Sequence, residues 1–170
     1  LDAILVQSLP IPGHLYLNDG QGNFHTGLFT CANPPATVRC FDNGKGTSLD
    51  TADLNGDSAL DIVVGKNTGQ SRLYLNDGLG NFNWAGAARS FGGMNTADDV
   101  TTLDSDGDGD LDIAAANGSG QPSILYLTDG LGTFGSLGSM RQFGAASDEL
   151  TTLSGGDING DGLADLAVLR

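Results

Sequence analysis

Glutamate is almost missing from this sequence. Glu149 stands alone against twenty aspartates among the 21 acidic residues, which excludes a general acidic coat, since that would use both residue types. Basic residues are scarce too: 7 lysines and arginines leave a formal charge of −14. So negative a chain repels nucleic acid and anionic membrane surfaces, and neither is an expected partner. Histidine occurs only at His14 and His25, and the serines have no distinctive context. A Ser-His-Asp hydrolase triad therefore has no support, and no enzyme activity is expected. No apolar run approaches the roughly 20 residues that span a bilayer, so membrane insertion is not expected. Cysteine is limited to Cys31 and Cys40, within FTCANPPATVRCF. Two cysteines do not make a four-ligand zinc site. A local disulfide is the preferred reading over two free thiols, and it implies an oxidising compartment.

What is present is glycine, 27 residues of it, with 39% apolar content in a chain of 170. Short strands joined by tight turns suit that composition, and the length suits one domain, so the expected fold class is all-β. The chain also repeats itself. HLYLNDGQGNF (14 to 24), RLYLNDGLGNF (72 to 82) and ILYLTDGLGTF (124 to 134) are copies of one segment. An R-x-F element recurs as Arg39/Phe41, Arg89/Phe91 and Arg141/Phe143. An acidic element recurs as DLNGDSALDIVV from Asp53, DSDGDGDLDIAA from Asp104 and DINGDGLADLAV from Asp157. The opening LDAILV reads as the tail of a fourth acidic element, with Asp2 equivalent to Asp61, Asp112 and Asp165.

Each unit is expected to hold four antiparallel strands, the composition of a propeller blade. The acidic loop joins a first strand to an apolar second strand (LDIVVG, LDIAAA, ADLAVL) that reads as innermost and buried on both faces. LYLND is the third, NDGxG a tight hairpin turn, and a fourth begins at Phe24, Phe82 and Phe134. The expected divisions are 1–46, an incomplete blade with an insertion between Cys31 and Cys40; 47–97 and 98–149, two whole blades; and 150–170, the first two strands of another.

Aspartates at alternate positions repel one another unless a cation lies between them. Oxygen ligands at positions 1, 3 and 5 with a further carboxylate beyond form a calcium-binding arrangement. An EF-hand is excluded, because position 12 is Val64, Ala115 or Val168 and the flanks are strand-like. The closing acid falls at position 9 instead. The expected side-chain ligands are Asp53, Asn55, Asp57 and Asp61; Asp104, Asp106, Asp108 and Asp112; and Asp157, Asn159, Asp161 and Asp165. Ala59, Asp110 and Leu163, at position 7, are expected to offer backbone carbonyls. Three calcium ions are expected, with magnesium disfavoured by its stricter octahedral demand. Ser58 departs from the pattern where the other loops have Gly109 and Gly162, marking a weaker first site.

Together, LYLNDGxGNF, the D-x-[DN]-G-D-G-x-x-D loop and LDIVVG resemble the FG-GAP/VCBS repeat family, the units of integrin-α-like β-propellers. The FG pair itself stands at Phe91-Gly92 and Phe143-Gly144. The resemblance implies a partial array, about three repeats, of a usually seven-bladed propeller with structural calcium. It also implies an extracellular, secreted or cell-surface adhesion or binding role toward a protein or glycan. The rest of the ring is expected from a longer chain, or from further copies or another chain. Alternatives are a lectin, a repeat unit of a surface assembly, and an accessory domain of a secreted enzyme. Trp84 is expected to pack, with a sugar-stacking face as its other role. The arginines of R-x-F are expected to pair with carboxylates near the loops or to be solvated, and Asp98 and Asp99 to be solvated. Asn117-Gly-Ser fits a glycosylation sequon.

Overall fold

A computed structural model describes residues 3–5, 12–25, 30–41, 45–82, 88–92, 97–118, 120–134 and 139–170. Asp2 and Trp84 lie outside them. The described chain is all-β apart from a single 3-10 turn at Ala146–Asp148. Strands β1 (Ala3–Leu5), β2 (Gly13–Tyr16) and β3 (Val38–Phe41) form the first sheet. β4 (Ser48–Ala52), β5 (Asp61–Gly65), β6 (Ser71–Tyr74) and β7 (Arg89–Phe91) form the second. β8 (Ala97–Leu103), β9 (Asp112–Asn117), β10 (Ser123–Tyr126) and β11 (Met140–Phe143) form the third, and β12 (Thr152–Gly156) pairs with β13 (Asp165–Leu169). Every pairing is antiparallel between strands adjacent in sequence, the arrangement of propeller blades.

The core lies in the seams between successive sheets, and the period-2 alternation of β5 and β9 explains why both are buried throughout. Ile62 and Val64 of β5 pack with Leu15, Phe41, Tyr74 and Phe82 on one side. Val63, between them, faces the other seam with Phe91, Val100, Ile113 and Tyr126. β9 repeats the arrangement, with Ile113 and Ala115 toward the second sheet and Ala114 and Ala116 toward Leu150 and Leu153. The second strands β5 and β9 are thus buried as expected, whereas β13, the third of them, is half-buried to exposed, with Val168 and Leu169 on the surface; none of them is innermost. The first strands are: they lie side by side, tied by Val100 N donating to Ser48 Oγ (3.0 Å), Thr102 N to Asp50 Oδ2 (2.7 Å) and Leu153 N to Asp99 Oδ2 (2.8 Å). Asp99 therefore joins two neighbouring sheets and is not solvated. Burial raises the Asp98 pKa, and the Gly118 N–H bonded to that carboxylate opposes the rise, so Asp98 is not simply solvated either.

The R-x-F elements also cross the seams. Phe41 packs edge-on against Tyr74 at 5.8 Å and tilted against Phe82 at 5.9 Å, and Phe91 meets both Tyr126 and Phe134 at 5.2 Å. Arg39 Nε donates to Asn81 Oδ1 (3.2 Å), and Arg89 Nη1 donates to the Leu131 carbonyl (2.8 Å). These two arginines thus reach the next unit's NDGxG segment rather than an acidic loop, a destination no single repeat reveals.

One further expectation is corrected. The fourth strand is the R-x-F element itself, whereas Phe82 and Phe134 make only isolated bridges to Asn76 and Thr128. Their hairpin is shaped by side chains, since Asn76 Oδ1 accepts the N–H groups of Gly78 (3.1 Å) and Gly80 (3.0 Å) and holds the turn compact. Asn117 is buried, with Nδ2 donating to the Pro122 carbonyl at 2.9 Å. Its amide nitrogen is engaged in the fold. The anticipated Cys31–Cys40 disulfide is present, with Cα atoms 5.7 Å apart.

Candidate metal centres

The three acidic loops fold alike, and their own aspartates shape them. The position-1 carboxylate accepts the position-4 N–H: Gly56 to Asp53 (2.8 Å), Gly107 to Asp104 (2.8 Å) and Gly160 to Asp157 (2.7 Å). Its second oxygen accepts the position-6 N–H from Ser58 (2.8 Å), Gly109 (3.1 Å) and Gly162 (2.9 Å). The position-5 carboxylate accepts the position-7 N–H of Ala59, Asp110 or Leu163. Oδ1 of Asp53 and of Asp157 also accepts the position-5 N–H (3.1 Å in each loop), whereas the second oxygen of each position-1 carboxylate accepts one of these N–H groups and has a further lone pair.

Convergence is clearest in the middle loop, where one carboxylate oxygen from each of Asp104, Asp106 and Asp108 lies within 4.8 Å of the others. In the outer loops asparagine replaces the central aspartate, and Asn55 Nδ2 donates to Asp57 Oδ2 (2.9 Å) as Asn159 Nδ2 does to Asp161 (3.1 Å). The amide oxygens of both asparagines accept the position-5 N–H within the loop.

The position-9 aspartates do more than close the loop. Asp61 is fully buried at the head of β5, where Oδ2 accepts Leu54 N (3.1 Å) and Oδ1 accepts Asn76 N (2.8 Å). Asp112 does the same with Ser105 N (3.1 Å) and Thr128 N (2.9 Å). One carboxylate therefore ties the acidic loop to the next hairpin. Asn76 and Thr128 complete the tie by donating side-chain hydrogen bonds to the Leu60 and Leu111 carbonyls. Sequence reasoning missed these two, although both occupy one position of the LYL[NT]DG repeat. Asp165 accepts Ile158 N (3.0 Å) in the third loop.

Burial raises the Asp61 pKa; the Asn76 and Leu54 N–H groups oppose this, and the Asp57 and Asp53 charges add to it. Asp110 is also raised, first by desolvation and then by the charges of Asp108, Asp129, Asp104 and Asp112. Its side chain presses on Gly130, where an added Cβ would lie 2.3 Å from Oδ1. Gly130 has φ +66°, the left-handed backbone that favours glycine.

The model of the FG-GAP-like repeat matches residues 53–115 and again residues 104–168. The chain belongs to the FG-GAP-like repeat family. Each match starts at the first aspartate of one acidic loop and continues through the next, so the FG-GAP-like repeats take in β5 to β7 of the second sheet and all of the third, and reach the last hairpin. These repeats make the chain a β-propeller-like module. No curated protein matches the chain.

Proposed function

We propose that this FG-GAP-like module is a calcium-stabilised extracellular binding or adhesion domain in which the ions are structural. The convergence of Asp104, Asp106 and Asp108 is the observation that carries the reading. The donors are exclusively carboxylate, amide and carbonyl oxygens, the chemistry of a hard cation, and the loops are already turned around them. Side-chain oxygens of positions 1, 3, 5 and 9 and the position-7 carbonyls would hold the ions. Three such ions would reduce the formal charge from −14 to −8 and relieve repulsion inside each loop. The Cys31–Cys40 disulfide agrees with an oxidising, extracellular setting. No helix among the described residues is long and apolar enough to cross a membrane. The partner in this reading is an extracellular protein or a glycan.

Thermal unfolding in calcium, in magnesium and in excess chelator tests the reading. A calcium-specific rise in Tm is expected, growing with free calcium as mass action requires. Equal Tm values in calcium and in chelator would overturn it.

A further inference from the structure

The acidic loop of the second sheet lies against the hairpin of the third. A Cβ built on Gly132 would lie 3.5 Å from that of Asn55, and one on Gly56 would lie 3.6 Å from the Gly130 carbonyl oxygen. Leu54 of that loop is only 1% exposed and shares a cluster with Leu73, Leu75 and Phe134. The equivalent place between the first and second sheets is a cavity of about 530 Å³, walled in part by Leu15, Leu17, Gly80 and Phe82. Nothing lies within 4 Å of a Cβ built on Gly78, and only Leu15 and Leu17 approach one on Gly80.

The last hairpin carries the parts that fit this cavity. Ile158 stands in the third acidic loop where Leu54 stands in the first, and it is 66% exposed. Asp61 and Asp112 each hold a following hairpin through Oδ1, at Asn76 N and Thr128 N. Among the described residues Asp165 accepts only from its own loop, Ile158 N and Asn159 N on Oδ2. We propose that two copies of the chain exchange these ends: β12 and β13 of one copy join β2 and β3 of the other in a four-stranded sheet, and Ile158 of the first enters the cavity of the second. β13 takes the place of β1 in that sheet. The register permits it, because β1 sets Ala3 and Ile4 opposite Tyr16 and Leu15, as β5 sets Ile62 and Val63 opposite Tyr74 and Leu73. Leu166 and Ala167 of β13 follow Asp165 as Ile62 and Val63 follow Asp61. β13 also brings five strand residues where β1 brings three. Asp165 then accepts Asn18 N of the other copy as Asp61 accepts Asn76 N, and Phe143 meets Tyr16 and Phe24 of that copy as Phe41 meets Tyr74 and Phe82. Each copy thus supplies two whole sheets and half of each of two mixed ones, the equivalent of three blades. Propellers hold about four to eight blades, and two copies give the only multiple of three in that range. The exchange is reciprocal, so the ring closes about a two-fold axis.

Sedimentation equilibrium of the full chain, in calcium and at an ionic strength that screens its net charge, tests the exchange. A dimer at twice the monomer's 17.3 kDa is expected. Ile158→Asp changes a side chain that is exposed in the single chain, so the β-sheet circular dichroism is expected to match the parent's. Its dimerisation is expected to weaken by about tenfold or more, since the exchange would bury an unpaired carboxylate. Leu131→Asp, at an exposed position outside both mixed sheets, is expected to remain dimeric. A monomer at every concentration, open chains of increasing mass, or Ile158→Asp and Leu131→Asp behaving alike would overturn the proposal.

Discussion

Ser58 holds a left-handed backbone, φ +69°, where the equivalent Gly109 and Gly162 have φ +92° and +87°. A residue with a Cβ is strained there by about 1–2 kcal/mol. Ser58→Gly is therefore expected to stabilise the protein by up to about 1 kcal/mol, the gain limited by glycine's greater freedom when unfolded; denaturant titration beside the parent checks it. Tyr126 is the other residue whose surroundings set a measurable property. Its ring is buried against Phe91 and Phe134, its hydroxyl lies near Gly92, and burial pushes its pKa from 10.0 to about 12. Because the folded pKa is the higher one, this phenol favours the fold fully below pH 10, and that contribution is lost as pH rises through 12. Tyr126→Phe is expected to remove on the order of 2 kcal/mol of alkaline destabilisation, seen by comparing denaturation midpoints at neutral pH and near pH 12. At this scale the sequence was informative wherever a residue answers to its own loop: Gly56, Gly107 and Gly160 all take the positive φ that the repeat demands. It was silent on Asp99, whose partners are 51 and 54 positions away.

The acidic loop, the second strand and the following hairpin behave as one element, because Asp61 and Asn76 bond to each other's segments. Removing Asn76 withdraws the acceptor for two glycine N–H groups and the donor to the Leu60 carbonyl. Asn76→Ala is expected to cost about 1–3 kcal/mol and to speed amide exchange at Gly78 and Gly80, measured by hydrogen exchange. Repetition made the first three strands of each unit legible, since apolar alternation and the acidic loop recur in register. The fourth was misplaced because Phe82 and Phe134 follow glycine-rich turns as strand residues would, yet side-chain bonds from Asn76 and Asp77 keep that chain in a loop. Such side-chain capture of the backbone competes with strand pairing, and alternation of apolar residues carries no trace of it.

For the whole molecule, stability is concentrated in the seams. Phe91 is contributed by the second sheet but completes a cluster with Tyr126 and Phe134 of the third. Phe91→Ala is expected to cost about 3–5 kcal/mol and to expose both sheets together, so fluorescence and amide exchange should report a single transition. The identity of the blades could be read from the sequence; the partners across each seam could not, since a repeat says what recurs and not what touches.

That staggering bears on synthesis. A chain emerging from its amino end presents Phe41 well before Phe82, its partner 41 positions later, exists. At about 5–20 residues per second the ring waits roughly 2–8 seconds with an apolar face exposed, and the wait recurs when Phe91 awaits Phe134. Each unit is thus finished by the translation of its successor, and the growing chain is most vulnerable to misassembly just behind its newest hairpin.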